Sequence, residues 1–373
     1  MAIVKLVFAF LLSITQLLHP CFAILTNGGV DSFNEEWSAE DEYTADYAIT
    51  LEKDPDKDFV VLNFADIQLS SDEVYGENGE IAEATIKKCI EDVKPDLITL
   101  SGDNAWCNMG YLRIVEYVDS FGIPWAAVMG NHDGDNGNKF NECWDAFLLY
   151  EAENSIFKFG PKDMGYGNYV INITENGKII HTIFMMDTHS SADDTDAGIV
   201  NYTEAGDHGY DHLWANQIDW YKWVVNGTTA LAGETVESTV IFHIPVIQYR
   251  TAMFEQCDVT YNEEGGFVGA TVKEEYAGSG FGSIEEWICS PDGDNGFFDV
   301  CKELGSTKNM IAGHDHVNNL SLEYEGIRLS YSLTTGPGCY WNEDKNGGST
   351  ITIGSDGHAT FAHHYVALAD LDL

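Results

Sequence analysis

Six polar residues able to hold a metal ion stand directly behind apolar runs: Asp66, Asp103, Asn131, His243, His314 and His316. The runs are residues 60–65, 97–101, 125–130, 239–242 and 308–312. Carboxylate oxygens and imidazole nitrogens are ligands for Zn, Fe and Mn. Six such groups exceed what one tetrahedral ion needs, whereas two ions sharing a carboxylate would use them all. Paired ions of this kind, roughly 3.5–4 Å apart, clamp the attacking and leaving oxygens of an in-line displacement.

Taken singly, each residue has an ordinary explanation. Asp66 after a strand suits a helix N-cap, and Asp103 suits a turn. Asn131-His132 after Gly130 reads as a tight turn. His243 before Ile244-Pro245 reads as a satisfied core histidine, and His314 and His316 around Asp315 read as a solvated loop. These explanations predict no particular order or pairing, and the order is what the set has in common.

The apolar runs alternate with helix-length segments, the pattern of buried parallel strands joined by crossover helices. Ligands of open α/β sheets bind beyond the carboxyl ends of the strands, so the six residues are expected on one rim. Residues 81–93 carry apolar positions at helical spacing and are closed by Pro95, and 111–121 reads as a second crossover helix. A loop over 134–140 and a helix over 142–151 follow. Strands are expected over 169–174 and 179–186, joined at Asn176-Gly177, a hairpin signal. Then come a polar loop over 187–210, an aromatic-rich helix over 212–225 and the strand 239–242. Residues 250–295 are glycine-rich and acidic and read as an irregular excursion or lid. Beyond it stand a strand over 308–312, a hairpin over 320–333 turning at Glu325-Gly326, and closing strands over 350–353 and 359–363. Residues 24–58 form an acidic entry segment with one short strand. No repeat or linker composition interrupts 24–373, which is expected to be one domain.

Residues 1–23 read as a secretory signal peptide: Lys5, a mostly apolar stretch over 6–18, then Cys21-Phe22-Ala23 before the cut. The stretch is shorter than the roughly 20 residues of a spanning helix, so no membrane span is expected after cleavage. A secreted or lumenal protein follows. Asn172, Asn201, Asn226 and Asn319 begin glycosylation acceptor triplets. Of the 8 cysteines, Cys21 lies in the signal. The odd number remaining leaves at least one thiol unpaired within the chain, and no pair shows metal-finger spacing. The formal net charge of −43, from 61 acidic and 18 basic residues, argues against a nucleic-acid or anionic-membrane surface. An anionic substrate approaching that field needs local positive charge, which divalent ions would supply.

Asp66-x-Gln68, Gly102-Asp103, Gly130-Asn131-His132-Asp133, His243 and Gly313-His314-x-His316 resemble, in type and order, the motifs of the calcineurin-like metallophosphoesterase superfamily. The resemblance runs from about residue 59 to 364. Phe242-His243-Ile244-Pro245-Val246, Gln217-Ile218-Asp219-Trp220 and Thr335-Gly336-Pro337-Gly338-Cys339-Tyr340 look most similar to the branch of purple-acid-phosphatase-29-like and Dcr2-like phosphatases. The resemblance implies an α/β (α+β) fold, a four-layer αββα sandwich of two mixed sheets flanked by helices. It also implies two divalent metal ions (Mn, Zn, Fe or Mg). One would take Asp66, Asp103 and His316, with Gln68 at a further ligand position. The other would take Asp103 as bridge with Asn131, His243 and His314. A metal-bridging water would attack a phosphorylated substrate. His132, with Asp133 beside it, would serve catalysis by stabilising or protonating the leaving oxygen.

Gln68 departs from the family's usual Asp-x-His. An amide oxygen is a weaker ligand than imidazole for Zn or Fe, which favours Mn, Mg or a water in its place. A glutamine there also resembles the Mn-dependent ADP-ribose and CDP-alcohol diphosphatases. The expected activity is therefore phosphate-ester hydrolysis. A Mn-dependent nucleoside-diphosphate-type diphosphatase or phosphodiesterase is the alternative, and a non-catalytic secreted metal-binding glycoprotein the reading from another class.

Overall fold

Two mixed β-sheets stack with helices on both outer sides. The computed structural model describes residues 33–70, 76–133, 139–190 and 209–373. The signal segment 1–23, the Asn201 triplet, residues 134–138 and most of the loop expected over 187–210 lie outside the described residues.

The smaller sheet has the order β16-β15-β2-β3-β4. Its parallel part is β2 (Phe59–Phe64), β3 (Leu97–Ser101) and β4 (Trp125–Val128). Helices α1 (Glu77–Val93) and α2 (Asn108–Asp119) make the crossovers. Strands β15 (Gly347–Ile353) and β16 (Ala359–Tyr365) close it antiparallel. The larger sheet has eight strands in the order β1-β5-β6-β7-β12-β14-β13-β10. They include β1 (Ile49–Glu52), the one strand among the described residues of the acidic entry segment, and β5 (Tyr169–Glu175) with β6 (Lys178–Met185). At its centre β7 (Glu237–Ile241), β12 (Thr307–Ala312) and β14 (Ile327–Tyr331) run parallel, and β13 (Ser321–Tyr324) and β10 (Gly280–Phe281) complete it.

Strand alternation divides the interior in two. Ile183 and Met185 of β6 and Ile241 of β7 point into the core between the sheets, with Val61, Leu97 and Ile351 on the facing side of the smaller sheet. Phe184 and Val240, one residue off, point the other way. There they pack with Trp220 and Tyr221 of α4 (Ala215–Ala232) and Phe297 of α6 (Phe297–Leu304). Helix α3 (Lys139–Glu151) belongs to the first core through Ala146 and Leu149. The order α–β–β–α is therefore built from two apolar faces per sheet, which explains why the parallel strands read as continuous apolar runs.

Both predicted tight turns form. Asn176-Gly177 and Glu325-Gly326 each have positive φ at both residues, 53° and 75°, then 48° and 84°. That is the twist-matched two-residue hairpin turn.

Residues 250–295 differ from the expectation of an irregular lid. Helix α5 (Gln248–Gln256) leads into a three-stranded sheet of β8 (Cys257–Tyr261), β9 (Phe267–Val272) and β11 (Ser283–Ile284). Most of β8 and β9 is partly or fully exposed on both faces, so the apolar alternation that flags a half-buried strand is weak there. The segment after β11 is tied down: Glu285 and Glu286 N–H donate to Asn318 Oδ1 at 2.8 and 3.1 Å, and Val317 N–H donates to Glu286 Oε1 at 3.0 Å. It buttresses the loop that carries His314 and His316.

The acceptor triplets also fare unequally. Asn172 and Asn319 are buried, and the Asn319 amide donates to Tyr365 Oη at 2.8 Å. A glycan cannot be accommodated on either side chain in the folded chain. Asn226 on α4 is exposed. No helix among the described residues is long and apolar enough to cross a membrane. The seven described cysteines are all free thiols.

Candidate metal centre

Asp66 follows β2, Asp103 follows β3, Asn131 follows β4, His243 follows β7, and His314 and His316 follow β12. The carboxyl ends of two packed sheets thus meet at one place. The backbone there is unusual. Asp66, Gln68, Asp103 and His314 have φ of 53°, 46°, 51° and 78°, the left-handed region. Each costs on the order of 1–2 kcal/mol outside glycine, so four together mark a site held by its surroundings. Two glycines permit the close approach. A Cβ on Gly102, at φ 91°, would lie 2.6 Å from His243 Nδ1, and one on Gly130 would overlap the Asp103 amide and carboxylate.

Two groups of side chains come together, and they share one residue. Ligand atoms of Asp66, Asp103 and His316 all lie within 4.8 Å of one another, as do those of Asp103, His243 and His314. Every member is buried. The rings are aimed. His243 Nδ1–H donates to the Ser101 carbonyl at 2.9 Å, which turns Nε2 toward Asn131 Oδ1 at 3.0 Å and Asp103 Oδ1 at 3.3 Å. His316 Nδ1–H donates to the Tyr340 carbonyl at 2.9 Å and leaves Nε2 3.7 Å from Asp66 Oδ1. A backbone carbonyl fixing the far nitrogen is the usual support of a metal-binding imidazole. Asp66 receives the His314 N–H on both oxygens at 3.0 Å, and Asp103 Oδ1 receives the His132 N–H at 2.8 Å.

Several observations test whether the set fits metal ions. Both ring nitrogens of His314 are buried without a hydrogen-bond partner, as is Gln68 Oε1. Orphaned buried polar atoms of this kind call for a missing partner. The charges ask for the same thing. Burial pushes the Asp66 carboxyl up, with His316 and His243 opposing. Burial pushes Asp103 up too, but the charge and hydrogen bond of His243 outweigh it and hold Asp103 well below the usual carboxylate range. Burial lowers His243, yet Asp103 and Asp66 carry it up to about 10. Burial lowers His316, while Cys339 and Asp66 carry it up to about 9. Burial, then the His243 charge, keeps His314 well below the ordinary histidine value. The buried carboxylates thus raise the proton affinity of the two imidazoles beside them. Divalent ions displace protons on binding, so the donor set fits.

The remaining sequence candidates have distinct positions. Gln68 is fully buried, and its amide Nε2 donates to Asp103 Oδ2 at 2.7 Å. Asp133 stands at the same rim, but its carboxylate is occupied by the chain. It accepts N–H bonds from Gly130 at 2.7 Å, Asn104 at 2.8 Å and Ala105 at 3.2 Å, and from the Asn104 amide at 3.1 Å. Asp133 therefore ties the Gly130–Asp133 turn to the loop after β3. His132 is half-exposed, its ring 4.4 Å from that of Trp106. Tyr210 meets His314 edge-on at 4.3 Å, and Tyr340 stacks on His316 at 4.3 Å and 11°. Sequence reading missed all three rings as neighbours of the site. Trp106, three residues beyond Asp103, and Tyr340, at the end of the glycine-rich run, were the available signals.

A sequence profile described as calcineurin-like phosphoesterase matches residues 59–318, and the chain belongs to that family. Its similarity to "Probable inactive purple acid phosphatase 14" of Arabidopsis thaliana is 26% identity over 275 residues, covering 66% of this chain and 60% of that protein. To "Phosphatase DCR2" of Saccharomyces cerevisiae it is 28% over 185 residues, covering 45% of this chain and 29% of that protein. The chain thus spans 60% or less of the length of these two relatives. Among solved structures, a dimetal phosphatase from Danio rerio aligns at TM-score 0.46 and 12% identity, over 82% of this chain and 98% of that one.

Proposed function

We propose that this chain is a metal-dependent phosphoesterase with Asp103 shared between two divalent ions. Asp66 and His316 complete one ligand set; Asn131, His243 and His314 complete the other. The observation that carries this reading is the pair of buried ligand groups meeting at one carboxylate. When bound, such ions polarise a phosphoryl oxygen and acidify water. The chain's own residues do the rest. The Asp103 carboxylate holds the His132 N–H, so the half-exposed imidazole stays at the mouth, where it donates a proton to the departing oxygen. Asp133 fixes the turn that aims both Asn131 and His132. The signal-like residues 1–23 support a secreted or lumenal location, and a mature N-terminus near residue 24 is the expected result of protein sequencing.

The test is a panel of a phosphomonoester, a phosphodiester and a nucleoside diphosphate with Mn²⁺, Zn²⁺ or Mg²⁺, each with and without chelator. Hydrolysis that needs metal and ceases with chelator is expected, and the preferred member decides between esterase and diphosphatase. A second reading, metal binding without turnover, has its own support: Gln68 replaces the usual histidine, and the names of three relatives from Arabidopsis thaliana include "inactive". Stoichiometric metal uptake with no hydrolysis of any member would establish it.

A further inference from the structure

Three aromatic rings pack on three different histidines of the centre. Trp106 lies on His132, Tyr210 on His314 and Tyr340 on His316. None is a fully buried core residue: Trp106 and Tyr210 are half-buried, and Tyr340 is 55% exposed. Two of the rings are fixed. Trp106 Nε1 donates to the Gly338 carbonyl at 3.2 Å, which sets it beside the segment that carries Tyr340. Tyr340 Oη donates to Glu286 Oε2 at 2.7 Å, while the Tyr340 carbonyl holds His316. An exposed ring held at both ends loses little conformational freedom on meeting a flat partner.

The charges around the rings restrict that partner. Among the described residues, no Lys or Arg is hydrogen-bonded or ion-paired to Asp66, Asp103, Asn131 or the three ligand histidines. Lys345 reaches the Val317 carbonyl in the same loop, but it is engaged by Glu285 at 2.9 Å and by Ser283. Glu286 stands at the Tyr340 edge. A leaving group bearing further negative charge would meet carboxylates, whereas a flat uncharged ring would meet aromatic faces.

We infer that this centre selects phosphate monoesters whose alcohol side carries a planar, uncharged aromatic ring, seated against Tyr340 and Trp106. The inference rests on the phosphoesterase reading above. Aryl-type phosphates and nucleoside monophosphates share this chemistry.

Calorimetric binding to the Mn²⁺-loaded chain tests it independently of turnover. One pair of probes is 2-phenylethylphosphonate and 2-cyclohexylethylphosphonate, matched in length and charge. The saturated ring is at least as apolar, so an undiscriminating greasy surface gives no preference for phenyl. The second pair is the phosphonate analogues of AMP and of ribose 5-phosphate. A preference on the order of tenfold for the aromatic member of at least one pair is expected, the scale of base–aromatic stacking. The pair that shows it identifies the source, aryl or nucleotide. Tyr340→Ala should bring that ratio near one, and Tyr340→Phe should retain it. Equal affinity within both pairs overturns the inference while leaving the phosphoesterase reading intact. So does a Tyr340→Ala variant that weakens both members alike, because the ring then only supports His316. No binding of any probe, together with no hydrolysis in the panel above, overturns both. Preference without turnover keeps the inference and removes the catalytic reading.

Discussion

The two halves of the centre are made from different chemistry. One half gathers Asn131, His243 and His314, two imidazoles and a neutral amide around Asp103. His243 is fully buried and locked at both nitrogens. The other half gathers Asp66 and His316, with Gln68 where the family usually places a histidine. The nitrogen-rich half suits Zn or Fe, and the oxygen-rich half suits Mn or Mg. Both halves share Asp103 after β3 and the loop after β12, so the difference lies in β2, which brings Asp66 and Gln68, against β4 and β7, which bring Asn131 and His243. The two sites are therefore expected to fill at different metal concentrations.

Asp103 belongs to both halves, so removing its charge should erase the difference between them. Asp103→Asn should lower turnover by more than about 10⁴-fold, because both ions lose an anionic ligand. Metal analysis should find both sites depleted, and thermal unfolding should stay cooperative. A variant that keeps one tightly bound ion would show that Asp103 serves only one half. His132 belongs to neither ligand group. His132→Ala should lower turnover by on the order of 10²–10⁴ with metal content unchanged, as for loss of a general acid. Departure of an ion with the imidazole would make His132 a ligand.

Asp133 supports one half more than the other. Asp133→Ala strands the N–H groups of Gly130, Asn104 and Ala105 in the interior. The expected loss of stability is about 3 kcal/mol, read as a lower denaturation midpoint. Metal affinity should fall first in the half that uses Asn131, next to the released turn. An unchanged midpoint would mean that water replaces the carboxylate.

The clustering of these carboxylates and imidazoles was legible because strand ends in an α/β sheet leave a mark: an apolar run, a glycine, then a side chain able to bind metal. Gly102-Asp103, Gly130-Asn131 and Gly313-His314 all follow it. The crossover helices and both two-residue hairpins were legible for the same reason, since their signals are local. The sheet of β8, β9 and β11 was not. Its strands lack a buried face, and the contacts that hold it, such as those of Asn318, come from residues about thirty positions away. The task of Asp133 was hidden too, because sequence shows that a carboxylate is present but not which N–H groups already occupy it. Trp106 is joined to the segment that carries Tyr340 through the Gly338 carbonyl, more than two hundred residues downstream, and no spacing reports that.

Gln68 gives the finest test of the comparison. Its Nε2 donates to Asp103 Oδ2 and its Oε1 is buried without a partner. Rotating the amide by half a turn exchanges the two atoms and presents the oxygen to the centre. A bound cation favours that orientation, since the oxygen can ligate and the N–H₂ group cannot. Gln68→His puts a stronger donor at the same left-handed position, φ 46°. The oxygen-rich half should then hold its ion about tenfold more tightly, the scale on which such neighbours tune affinity. The chelator concentration that removes the first ion should rise accordingly. The wild type should recover activity with added Mn²⁺ or Mg²⁺, and the variant should depend less on that addition. Should the two proteins lose metal at the same chelator concentration, the amide is a hydrogen-bond donor to Asp103 and not a ligand. The halves would then differ only by Asp66 and His316 against Asn131, His243 and His314, and the preference for Mn or Mg in one of them would lose its main support.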